Sequence, residues 1–184
     1  MEFVVTQPDR PKGRGRHLEA PPVKKAAQEW GLPVHQPRDS TDLLSLFRSD
    51  QLDVAVVVAF GRILKPAVLD TTEHGFVNVH FSLLPRWRGA APVERAILAG
   101  DEFTGISLMV LDQGMDTGPV FAAVETPINE HESAGQLTGR LASLGADMLR
   151  DHLDVYVHGR LRAARQMKTG ATAARRSRAP PAGR

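Results

Sequence analysis

The sequence predicts an α/β domain with a largely parallel sheet. Val54 to Phe60, VAVVVAF, is a continuous β-branched run, the pattern of a strand buried on both faces. Further apolar runs at Glu2–Gln7, Phe76–Phe81, Thr104–Leu111 and Val120–Glu125 alternate with segments of helical period. Pro and Gly punctuate the joints between these segments.

Taken in order, a first strand spans Glu2 to Gln7. QPDRPKGRGRHLEAPP, Gln7 to Pro22, is rich in Pro, Gly and Arg and predicts a loop. Val23 to Trp30 predicts a helix closed by Gly31 and Pro33, and Thr41 to Arg48 a second, capped by Ser40 or Thr41. The VAVVVAF strand ends at Gly61, and Pro66 opens a short helix over Lys65 to Asp70. Phe76 to Phe81 is the next strand, with Pro85 stopping the segment after it. Pro92 to Ala99 is a helix closed by Gly100. Thr104–Leu111 and Val120–Glu125 are strands joined by the Gly-rich turn DQGMDTGP, Asp112 to Pro119. Ser133 to Val157 is the longest helix, with Leu137, Leu141, Leu144, Met148 and Leu149 along one side.

The 184 residues suit one domain with a full core. Cysteine is absent, which excludes disulfides and thiolate metal sites. No apolar run reaches the roughly 18 residues of a membrane span, and the N-terminus lacks the pattern of a signal peptide. A cytoplasmic monomer with no membrane partner is expected. The net charge of +2 hides an asymmetry. Residues 1–158 carry 15 Lys and Arg against 21 Asp and Glu, while residues 159–184 carry 8 basic groups and no acid. The basic end, GRLRAARQMKTGATAARRSRAPPAGR, has few large apolar groups and predicts a disordered tail, leaving 1–158 as the folded domain. Inside the body one basic cluster stands out: Arg10, Lys12, Arg14, Arg16, Lys24 and Lys25, with Glu19 alone among them.

In an open parallel sheet, ligands bind beyond the carboxyl ends of the strands. Asn78 and His80 are i and i+2, so they leave one strand on the same face. An amide donor beside an imidazole can hold a carbonyl oxygen and stabilise negative charge that grows on it. Asp112 and Asp116 flank the Gly-rich turn, and either could reach the ring and orient it. This set suits acyl transfer without a covalent enzyme intermediate, since there is no Cys and no G-x-S-x-G elbow. The competing explanation is local: a satisfied polar His, and Asn and Asp serving turns. His74 and His80 have no third ligand at a recognisable spacing, so no metal site is expected. Pro85 bends the chain away, and the backbone of Ser82, Leu83, Leu84 and Pro85 is expected to be free to meet a flat heterocycle.

Asn78 to Val120, NVHFSLLPRWRGAAPVERAILAGDEFTGISLMVLDQGMDTGPV, resembles the core of the formyltetrahydrofolate-dependent formyltransferases. Thr6 to Ala27, TQPDRPKGRGRHLEAPPVKKAA, resembles the loop and helix of the methionyl-tRNA formyltransferases within that group. The resemblance spans about residues 1–158 and implies a Rossmann-like formyltransferase fold. It implies a catalytic trio at Asn78, His80 and Asp116, and 10-formyltetrahydrofolate as co-substrate, met around Ser82, Leu83, Leu84 and Pro85. It further implies initiator Met-tRNA as partner, met by Arg10, Lys12, Arg14 and Arg16, with Arg14 matching the key arginine. The family's first strand-helix unit and its C-terminal β-barrel domain have no counterpart in the chain, which leaves VAVVVAF expected to lack a neighbour. A glycinamide ribonucleotide or sugar-amine formyltransferase, and an inactive remnant that binds folate or RNA, remain alternatives.

Overall fold

The computed structural model describes residues 1–12 and 17–174. They divide into two compact units, Met1–Gln51 with Arg62–Thr71, and Leu52–Gly61 with the chain from Thr72 onward.

In the first unit, β1 (Val4–Val5) pairs in parallel with β4 (Val34–His35), with Val4 opposite Val34. Sequence reading misses β4, because two residues are too few to show a period of two. The predicted Gln7–Pro22 loop instead holds an antiparallel hairpin, β2 (Arg10–Lys12) and β3 (His17–Glu19). Its root is tied by Asp9, which accepts from Lys24 Nζ at 2.8 and 3.0 Å and from Gln36 Nε2 at 2.7 Å. Helix α1 (Pro22–Glu29) opens on a Pro whose missing N–H costs nothing there, and Gly31 follows at φ 68°. Helix α2 (Ser40–Ser49) is capped by Asp39 and not by Ser40 or Thr41. Asp39 Oδ1 accepts from the backbone N–H of Thr41 at 2.8 Å and of Asp42 at 3.0 Å. A carboxylate cap also meets the positive end of the helix dipole. Phe47 of α2 and His35 each meet Phe3 edge-on, and α3 (Pro66–Leu69) buries Val68.

The second unit is a four-stranded sheet in the order β5 (Ala55–Val57), β6 (Phe76–His80), β7 (Phe103–Val110), β8 (Val120–Pro127). β5 runs parallel to β6, and β7 runs antiparallel to both β6 and β8. Three of the four strands therefore point the same way, with β7 alone reversed. β6 is buried along its whole length. β5 differs from the expectation of burial on both faces. Among the described residues it pairs with β6 alone, and Val56 and Val58 are 42% and 50% exposed. Among the described residues, nothing fully covers these two side chains.

Helix α4 (Pro92–Leu98) ends at Gly100, and α5 (Ala134–Val157) begins with a capping box between Ser133 and Gln136. Leu137, Leu141 and Met148 of α5 bury against Val77, Val79, Ile106 and Leu108 of the sheet. Gly145 sits where a Cβ would lie 2.8 Å from Val79 Cγ1, so its bare backbone lets helix and sheet approach.

Residues 160–174 correct the expectation of a tail disordered from 159 onward. Val120 and Ala164 exchange two backbone hydrogen bonds, at 2.9 and 2.8 Å. Farther on, Arg88 N–H donates to Thr172 O at 2.9 Å, and Ala174 N–H to Arg88 O. Ala174 is buried. Composition undervalues this segment because backbone pairing, and not apolar side chains, holds it down. Residues 175–184 lie outside the described residues.

Candidate active site

The site begins at the end of β6. Asn78 and His80 are both buried, at 9% and 5% exposure, on one face of the strand. The antiparallel register sets Asn78 opposite Met109 and His80 opposite Ser107. β7 runs out at Val110, opposite Val77 near the start of β6, and the 112–119 turn brings Asp116 back to Asn78 and His80. The conformation of that turn, invisible from sequence, decides between the two aspartates. Asp112 stays local, accepting from Gly114 N–H at 2.9 Å and Thr117 Oγ1 at 2.7 Å. Asp116 turns inward at φ 51°, a left-handed conformation that short polar residues tolerate. Its Oδ1 lies 3.5 Å from Asn78 Nδ2, and its Oδ2 lies 3.7 Å from His80 Nδ1.

The 86–89 loop closes the other side. His80 Nε2 is 3.0 Å from Trp87 O, and a carbonyl can only accept, so Nε2 carries the hydrogen. Both ring nitrogens thus face oxygen acceptors, Nε2 at hydrogen-bond distance and Nδ1 at 3.7 Å. Gly89 N–H donates to Asp116 Oδ2 at 2.8 Å. Trp87, at φ 58°, is held by Asp101, which accepts from Trp87 Nε1 at 2.7 Å and from Arg86 through two nitrogens. The Arg86 guanidinium, stacked 4.4 Å from the Trp87 ring, holds the Asp101 carboxyl below the usual carboxylate range; the Trp87 indole acts the same way, and burial opposes both.

Ser82, Leu83, Leu84 and Pro85 lie between β6 and this loop, with a cis bond between Leu84 and Pro85. Their backbone is not free as expected. Leu84 N–H donates to Ser107 Oγ, Ser107 Oγ donates to Ser82 O, and Leu83 O and Pro85 O accept from Arg86 and Thr172. Ser82 is buried, its hydroxyl donating to Arg86 O at 2.6 Å. Four of the segment's backbone groups are thus engaged, and it also presents the half-buried apolar surface of Leu83, Leu84 and Pro85.

Of the basic cluster, Arg10 is exposed on the hairpin and its guanidinium reaches Gln7 Oε1 at 3.5 Å. Lys12 ends β2; its side chain, like Arg14 and Arg16, lies outside the described residues. Among the described residues, no group of three His, Asp or Glu side chains is placed to hold a metal ion, and no helix is long and apolar enough to cross a membrane. Sequence reading misses Trp87, Gly89, Asp101 and Ser107. The one available signal is the Arg-Trp-Arg-Gly run beside a suspected site, since a Gly there marks backbone that must approach something closely.

Residues 1–153 match the family described as Formyl transferase. The chain belongs to that family. A methionyl-tRNA formyltransferase of Halorhodospira halophila is 54% identical to this chain over 170 residues, covering 92% of this chain and 55% of the relative. One from Neisseria meningitidis serogroup C is 47% identical over 180 residues, covering 96% and 58%. These matches carry the likeness past residue 158, into the segment that composition sets apart. The chain spans about half the length of these curated relatives. Among solved structures, an N-formyltransferase of Helicobacter canadensis in complex with folinic acid and dTDP-3-aminofucose superposes with a TM-score of 0.70 at 21% identity, covering 81% of this chain and 52% of that one. At that identity the likeness speaks for the fold.

Proposed function

We propose that this formyl transferase moves a formyl group from 10-formyltetrahydrofolate to the α-amino group of methionine on initiator tRNA, in the cytoplasm and as a monomer. The convergence of Asn78, His80 and Asp116 at the end of β6 carries the reading. Relatives about half identical and named methionyl-tRNA formyltransferase support the acceptor.

In this reading the amine attacks the formyl carbon, and the carbonyl oxygen takes up negative charge. Asn78 Nδ2 and the protonated His80 ring stabilise that oxyanion. Asp116 supports the charged ring and, through water, carries the amine proton to the folate nitrogen as the carbon–nitrogen bond to folate breaks. No metal is required, because the formyl group is already activated on nitrogen. The pteridine rests on the apolar surface of Leu83, Leu84 and Pro85, beside Ser82. Arg10, Lys12, Arg14 and Arg16 meet tRNA phosphates.

The test is an assay of purified chain with 10-formyltetrahydrofolate and either charged initiator tRNA or small amine acceptors. Formyl-methionine on tRNA supports the proposal. Transfer only to a small amine replaces the acceptor, and no transfer to any acceptor overturns the activity.

A further inference from the structure

Gln166 lies in the 160–174 segment, fifty residues beyond Asp116. Its amide nitrogen donates to Asp116 O at 2.9 Å and to Gly118 O at 2.8 Å. Its amide oxygen accepts from Arg88 Nε at 3.0 Å and Arg88 Nη2 at 2.7 Å. Carbonyls can only accept and a guanidinium can only donate, so the orientation of the amide is forced. All four of its hydrogen-bonding positions are filled. One half of the group grips the backbone of the aspartate turn; the other grips the loop that supplies Gly89 N–H to Asp116 and Trp87 O to His80.

We propose that Gln166 is a positioning residue for formyl transfer, fixing the Asp116 carboxylate against His80 by tying the 116–118 turn to Arg88. The proposal rests on the catalytic reading of Asp116 and His80. Asp116 needs such a tether, because its left-handed backbone is held at a cost and, among the described residues, its carboxylate has one backbone donor, Gly89 N–H. A wholly different set of contacts docks the segment itself: the Val120–Ala164 pair and the Thr172–Ala174 pairing with Arg88. Gln166 is therefore not needed to hold the segment in place, which separates positioning from docking.

Gln166→Glu isolates the effect. A carboxylate keeps both acceptor positions for Arg88 and removes both donors to Asp116 O and Gly118 O. The full chain, Gln166→Glu and Gln166→Ala are compared by amide hydrogen exchange at Gly89 and by formyl-transfer kinetics. In both variants Gly89 exchange is expected to rise by about tenfold or more while exchange in the β6–β7 ladder stays unchanged. The expected fall in kcat is ~10- to 100-fold, with KM for 10-formyltetrahydrofolate within about threefold of the parent. A Glu variant with parent-like Gly89 exchange or kcat overturns the proposal. So does a Glu variant whose exchange rises throughout the chain, or whose KM rises in step with the fall in kcat. A parent chain without formyl transfer defeats the function instead, and Gly89 exchange then decides Gln166 by itself.

Discussion

Gly89 donates its backbone N–H to the Asp116 carboxylate at 2.8 Å, at φ 109°, a conformation closed to residues with a Cβ. A Cβ there would also stand 3.1 Å from Ala174 O and 3.3 Å from Met115 Sδ. One glycine thus joins the aspartate turn, the 86–89 loop and the 160–174 segment. Gly89→Ala is expected to cost about 1–3 kcal/mol of stability and to lower formyl transfer more than Ala substitutions on exposed positions do. Urea denaturation alongside the transfer assay checks both; a parent-like midpoint would show that the loop relaxes freely.

His80→Ala and Asp116→Asn are each expected to lower kcat by ~10²- to 10⁴-fold, with unfolding midpoints close to the parent. Steady-state kinetics and thermal melts measure this. Near-parent turnover in either variant would remove that residue from the trio.

Asp101 links stability to pH through a carboxyl held low by Arg86 and the Trp87 indole. A carboxylate whose folded pKa lies below its unfolded one stabilises the fold above about pH 4 and loses that contribution as pH falls through the folded value. Asp101→Asn is therefore expected to weaken the protein at pH 6 and to approach the parent as pH drops below about 4. Urea midpoints at pH 6, 4 and 3 provide the comparison. A gap between parent and variant that stays constant across the series would mean that the charge of Asp101 holds nothing.

Arg14→Ala is expected to weaken tRNA use more than folate binding, and to flatten the salt dependence of KM for tRNA by about one unit of log–log slope. Kinetics at several salt concentrations report it. Equal loss toward both substrates would take Arg14 out of RNA contact.

Asp39→Ala is expected to cost about 1 kcal/mol, the usual worth of an N-cap, without touching turnover. Replacing Ser40 should cost less, because Asp39 accepts both N–H groups.

Much of the site is legible in the chain. Period-two spacing sets Asn78 and His80 on one face, and Pro85 and Gly100 end the elements around them. Local chemistry also marks α5 by its leucines and its Ser133–Gln136 box. The choice between Asp112 and Asp116 is not legible in spacing, because the conformation of the 112–119 turn decides which carboxylate comes inward. Gln166 is harder still: a single amide in an Ala- and Arg-rich segment carries no pattern, and its partners lie 48 to 78 residues away.

Element order, helix ends and the two strand-borne catalytic candidates follow from neighbours a few residues apart, where backbone sterics and hydrogen-bonding geometry act directly. The hairpin in the Arg-rich loop, the open face of Val56 and Val58, and the folding-down of residues 160–174 do not. The last depends on backbone groups meeting partners distant in sequence, and the exposure of Val56 and Val58 on what the folded chain places beside β5; neither is settled by neighbours a few residues away.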